Sequence, residues 1–170
     1  KHTNPCGVCV RGTDVPLEGV FEKALAGDPK SAFGGIVATT QPIDRKTADA
    51  ILDVFIECIV APAFLPEALE ALKVKKNLRL VEAPWLRTPP VKTVLQRSIC
   101  GGLLEQDSDI LPADQVKEWQ AVGATKPDNN DLLELQFAMT VAKHVKSNAI
   151  VISKDRELIA AGSGQMSWVD

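Results

Sequence analysis

The chain has 170 residues, 45% hydrophobic and 24% charged, a length and balance that suit one globular domain with a core of useful size. Nineteen basic against 22 acidic side chains leave a net charge of −3 and no long basic block, which removes the electrostatic case for nucleic acid. No apolar run approaches the ~20 residues of a membrane span, and no signal peptide opens the chain, so no membrane partner and a cytoplasmic setting are expected.

The first seven residues, Lys1-His2-Thr3-Asn4-Pro5-Cys6-Gly7, place a cation, an imidazole, an amide and a thiol within six positions. Pro5 fixes φ and pushes Asn4 towards extended geometry, and Gly7 permits a tight turn. The result is a rigid polar hook in a chain with only two histidines. An ordinary N-terminal loop is the plain alternative. Opening on Lys1 rather than methionine predicts a fragment or a processed piece.

Val8-Cys9-Val10 reads as a short strand. Thr13 or Asp14 is positioned to cap a helix with Pro16 in its first turn and Leu17, Val20, Phe21, Ala24 and Leu25 at helical spacing, ended by Gly27. Gly34 to Thr39 reads as a buried strand. Asp44 caps a second helix running to about Val54, with Ala48, Ile51, Leu52 and Phe55 as its stripe. Ile56 to Val60 is a strand, Pro66 opens a helix, and Leu78 to Val81 is a further strand. Pro84, Pro89 and Pro90 confine any strand between Ala83 and Gln96 to an edge. Gly101 begins another extended piece. Asp128 to Lys146 has the strongest helical pattern, with a broad apolar face that includes Leu132, Leu135, Phe137, Met139, Val141 and Val145. Ala149 to Ile152 follows as a buried strand, and Asp155-Arg156 turns into Leu158-Ile159-Ala160. This alternation predicts an α/β layer architecture with a largely parallel sheet.

Ser31 to Gly35, Lys146-Ser147-Asn148 and Gly162 to Ser167 are polar, small-residue clusters at strand ends, where open α/β sheets hold ligands. None matches a phosphate loop or a dinucleotide fingerprint, and taken singly each also reads as a tight turn. Pro5-Cys6-Gly7-Val8-Cys9 echoes half of the zinc deaminase signature. The other half needs His-x-Glu, and neither His2-Thr3-Asn4 nor His144-Val145-Lys146 supplies it. Cys58 and Cys100 stand alone, so no zinc is expected and the four cysteines are expected to be reduced.

Taken together, Lys1 to Val8, Asp28 to Gly35, Ile59 to Pro62, Lys75 to Leu80, Gly101 to Leu104, Val141 to Ile150 and Gly162 to Ser167 resemble one family, in the same order. It is the AICAR transformylase part of the bifunctional purine biosynthesis protein AICAR transformylase/IMP cyclohydrolase. The resemblance covers nearly the whole chain. It implies a three-layer α/β/α sandwich, cytidine-deaminase-like, with a mixed, mostly parallel sheet. It also implies formyl transfer from 10-formyltetrahydrofolate, as co-substrate, to the 5-amino group of AICAR in IMP synthesis. By that resemblance His2 moves the proton, Lys1 supplies positive charge and Asn148 orients the formyl group. Phe33, Gly34, Glu57, Gln165 and Ser167 are implied on the substrate side.

The implied assembly is a homodimer with active sites at its interface. Residues 1–170 correspond to the first half of the transformylase region, without the second half or the cyclohydrolase domain, so little turnover is expected of this piece alone. The family motif Gly-Gln-x-Ser-Arg ends here in Trp168, which lacks the fixed charge and paired donors of arginine. That departure motivates a second hypothesis, a non-catalytic nucleotide-binding module of the same fold. A zinc-dependent deaminase is the third.

Overall fold

Three parallel strands and the helices between them carry the most tightly packed part of the chain. A computed structural model describes residues 1–12, 14–88, 91–112 and 115–166. Strand β1 (Gly35–Ala38) leads through a helix to β2 (Ile56–Ala61), and a second helix leads to β3 (Arg79–Glu82), in the order β1-β2-β3. Before them lie α1 (Leu17–Gly27) and the single turn α2 (Pro29–Ala32); the two crossover helices are α3 (Arg45–Leu52) and α4 (Pro66–Leu72).

The local causes are those that the residues supply. The Asp44 carboxylate accepts the Thr47 N–H at 2.8 Å and caps α3, as expected. Pro66 occupies the first position of α4, where its missing donor costs nothing. The expected cap of α1 is replaced: Pro16 stands at that position with no side-chain hydrogen bond, so Asp14 does not cap it, and Thr13 lies outside the described residues.

Register assigns the sheet faces. Val37, Ile59 and Leu80 are cross-strand neighbours on one face, and Ile36, Cys58 and Arg79, then Ala38, Val60 and Val81, on the other. Sequential strand order with right-handed crossovers puts α3 and α4 on the same side. There Ile43, Ile51, Ile59 and Leu72 are at most 1% exposed and form one core with Phe21 of α1. Each such side chain gives roughly 1.5–3 kcal/mol on burial. The opposite face carries Ile36 at 65% and Val81 at 42% exposure.

The rest of the chain is more open. β4 (Val94–Ile99) and β5 (Gly102–Asp107) form an antiparallel hairpin exposed along its whole length. Helix α5 (Asn129–Lys143) starts with a capping box in which Asp128 accepts from the N–H of Asn130 and Asp131, and Asp131 accepts from that of Asp128. It packs on a second hairpin, β6 (Ile150–Lys154) and β7 (Glu157–Gly162). Asp155 and Arg156, at φ 54° and 57°, make the two-residue turn between them.

Several expectations change. Among the described residues the strands form three separate sheets: β1-β2-β3 is parallel throughout, whereas β4-β5 and β6-β7, whose strands are joined by turns too short for a crossover, are antiparallel pairs and do not extend it into one mixed sheet. The buried face of α5 narrows to Phe137 and Val141, with Val145 beyond its end, while Leu135 and Met139 are about half exposed. β6 is not a buried strand, since α5 covers one face only and leaves Ile150 and Ile152 at 63% and 57%. Phe55 leaves the α3 stripe altogether, because that helix ends at Leu52. Among the described residues no helix is long and apolar enough to cross a membrane.

Candidate active site

The hook is held from four directions. Behind it, the Val8–Arg11 segment runs against β7: the Leu158 N–H donates to the Val8 carbonyl at 2.8 Å, the Val10 N–H to that of Arg156 at 2.9 Å, and Cys9 bridges Glu157. The Arg11 guanidinium pairs with the Glu157 carboxylate, which Lys23 of α1 also reaches at 2.6 Å. Beneath it, Gly7 lies against α1 so closely that an added Cβ would sit 2.0 Å from the Ala24 carbonyl oxygen. Glycine is needed there for the approach of two backbones.

The hook itself is a left-handed turn. His2 and Thr3 take φ of 51° and 64°, and the Asn4 N–H closes the turn on the Lys1 carbonyl at 3.0 Å. Two non-glycine residues in that region cost about 1–2 kcal/mol each, strain of a kind that collects at functional sites. The turn leaves the His2 side chain exposed.

On one side, Lys1 reaches the start of the parallel sheet. Its Nζ donates to the carbonyls of Phe33 at 2.7 Å and Gly34 at 3.0 Å. Gly34 has φ 67°, and its N–H donates to the Phe55 carbonyl at 2.7 Å. A Cβ on it would lie 2.9 Å from Lys1 Nζ and 3.6 Å from Glu57 Oε1, so the ammonium and the carboxylate both abut this glycine. Glu57 of β2 stands 3.9 Å from Arg79 of β3. The Phe33 and Phe55 rings pair at 5.0 Å, tilted by 43°, and both are more than half exposed. Asp28 caps the α2 turn just before; hydrogen bonds from Ser31, its side chain foremost and then its N–H, hold that carboxyl below its ordinary range. A cleft of about 370 Å3 opens beside the cluster, with Phe55, Glu57, Lys76 and Arg79 in its lining, a size at the lower end for small-molecule sites.

On the other side, the hook meets the loop between α5 and β6. Asn4 Oδ1 accepts the Lys146 N–H at 2.9 Å, and Lys146 Nζ lies 3.4 Å from the His2 carbonyl. The Asn148 N–H donates to the Gln165 carbonyl at 3.3 Å, and the Gly164 N–H to that of Lys146 at 2.8 Å, so this loop runs beside the segment after β7. Ser147 Oγ donates to Asn148 Oδ1 at 3.3 Å.

Seven of the expected residues therefore lie around one turn. Phe33 and Gly34 attach through Lys1, Glu57 lies against Gly34, and Asn148 and Gln165 attach through Asn4 and Lys146. Ser167 and Trp168 lie outside the described residues. Sequence reasoning passed over Asn4, Phe55, Arg79 and Lys146 as site residues. Asn4 and Lys146 had a usable signal, as polar neighbours inside two of the singled-out clusters; Phe55 was hidden by its place in a helical stripe. Among the described residues no three His, Cys, Asp or Glu side chains are grouped to hold a metal ion. What the arrangement offers is an exposed imidazole, an anchored ammonium with a carboxylate nearby, and a side-chain amide on the far side.

The AICARFT/IMPCHase bienzyme family model matches residues 1–170. The bifunctional purine biosynthesis protein PurH of Gloeothece citriformis is 48% identical to this chain, that of Thermosynechococcus vestitus 47% and that of Prochlorococcus marinus 46%, each over 169 residues. Each match covers 99% of this chain and 32% of the relative, so the chain spans about a third of the length of these proteins. With the family's motifs spread from the hook to the segment after β7 and the match running end to end, the chain belongs to the AICARFT/IMPCHase bienzyme family.

Proposed function

We propose that this chain carries part of the formyltransferase site that converts AICAR to its formylated form with 10-formyltetrahydrofolate as co-substrate. The observation that carries the reading is the pairing of Lys1 and His2, in a left-handed turn, with partners from both ends of the chain.

The 5-amino group of AICAR is a weak nucleophile, since the imidazole and its carboxamide draw off its lone pair. Attack on the formyl carbon needs a base to take the amine proton as the bond forms, and a nearby imidazole suits that task at neutral pH. His2 fills this role. The formyl oxygen becomes an oxyanion at the same moment and needs donors aimed at it; its collapse breaks the bond to N10 of the folate, which takes up a proton and leaves as tetrahydrofolate. An ammonium has three donors, and Lys1 uses two on the Phe33 and Gly34 carbonyls, which fixes the direction of the third. Asn148 orients the formyl group, while Phe33, Gly34, Glu57, Gln165 and Ser167 contact the substrates. The exposed Phe33–Phe55 pair beside the cleft supplies a surface on which a flat ring can pack.

Residues 1–170 act as the first half of the transformylase region of a cytoplasmic homodimer. An all-parallel sheet is stable when covered on both faces. The open face with Ile36 and Val81 therefore supports completion to a three-layer, cytidine-deaminase-like sandwich in the assembled enzyme. The test is formyl transfer by the protein in its full natural length, beside His2→Ala and Lys1→Ala. Removing the base should lower kcat by about 10²–10⁴-fold. Turnover indifferent to both substitutions would remove the mechanism. A nucleotide-binding module without catalysis is the alternative that Trp168 favours, and it would bind AICAR in calorimetry yet give no product.

A further inference from the structure

We infer that Asn4 is a positioning residue for this site, a latch whose side-chain oxygen sets the distance between the Lys1–His2 turn and the loop that carries Asn148. The inference rests on the functional reading above and adds a residue to which that reading gives no role.

The geometry is specific. Asn4 Oδ1 accepts the backbone N–H of Lys146 at 2.9 Å, joining residues 142 positions apart. The same residue closes the turn from within, its own N–H bonded to the Lys1 carbonyl at 3.0 Å. One side chain thus belongs to the turn that holds His2 and grips the loop two residues before Asn148. A second hydrogen bond joins these segments, Lys146 Nζ on the His2 carbonyl, but it is longer at 3.4 Å and made by a flexible side chain. Pro5 restricts Asn4 to extended geometry, so the amide is held in place by its own backbone. Lys146 is fixed in turn by the Gly164 N–H on its carbonyl at 2.8 Å.

Without the oxygen, the Lys146 N–H loses its acceptor, and the two segments keep the longer Lys146 Nζ–His2 bond but lose the shorter one that fixes their spacing. A shift of about 1 Å between reacting groups is enough to cost roughly a hundredfold in rate while leaving substrate affinity nearly intact. Asparagine is used as an acceptor, so aspartate preserves the latch and alanine removes it.

The experiment compares wild type, Asn4→Ala and Asn4→Asp in the protein at its natural length, by amide hydrogen exchange at Lys146 and by steady-state formyl transfer. Expected are loss of Lys146 amide protection in Asn4→Ala, a fall in kcat of about 10–100-fold with KM for the nucleotide within about threefold, and recovery of both by Asn4→Asp. Unchanged Lys146 protection in Asn4→Ala overturns the latch, whatever the activity does. Equal loss of kcat in both variants, or a rise in KM alone, overturns the positioning role. If the wild type transfers no formyl group, the functional reading fails on its own account, and the exchange measurement still decides whether the latch exists.

Discussion

The two cores of the chain differ in enclosure, and the candidate site lies between them. The first, around β1-β2-β3 with α1, α3 and α4, holds side chains with almost no exposure, such as Ile43 and Ile59. The second, around α5, β6 and β7, has Phe137, Val141, Val145 and Leu158 as its buried members and leaves Ile150, Ile152 and Met139 more than half exposed. Lys1 attaches the hook to the first core through Phe33 and Gly34, and Asn4 attaches it to the second through Lys146. A site divided this way depends on the element that spans the gap rather than on the rigidity of either core. Short, strained and doubly tethered, the hook meets that requirement.

Substitutions should expose the contrast. The largest effect is expected from Ile59→Ala, about 2–5 kcal/mol by denaturant unfolding, because the enclosed core around it cannot collapse onto the space left behind. Leu158→Ala should fall at the low end of that range, since its smaller cluster has room to relax; an equal or larger cost would erase the distinction between the cores. Gly7→Ala should cost about 1–3 kcal/mol, the usual penalty of overpacking, because its Cβ would meet the backbone oxygen of Ala24. It should also weaken nucleotide binding as the hook moves off α1. Full stability and binding in Gly7→Ala would mean that the hook is not seated on that helix.

Much of this was legible where one residue dictates its own neighbourhood. Asp44 and Pro66 announced their helices, Asp128 announced α5, and Asp155-Arg156 announced the last turn, since caps and turns are decided within four residues. The hook stood out by its crowding of polar types, and the residues that lie around it in the structure were named through the family resemblance. What could not be read were facts of tertiary choice. Whether Ile152 faces α5 or solvent depends on which side of the hairpin the helix covers. Phe55 fits a helical stripe equally well as a ring that stacks on Phe33. The β4-β5 hairpin was masked by prolines and by strands with no buried face to impose alternation. The Asn4–Lys146 bond joins residues too far apart for any local pattern to reveal.

The most direct test of the account is titration of AICAR into the isotope-labelled protein, followed by backbone amide shifts. A site spanning both cores predicts that Gly34, Glu57, Lys146 and Asn148 shift together along one binding curve. Shifts confined to one core, with the other unmoved at saturation, would contradict it.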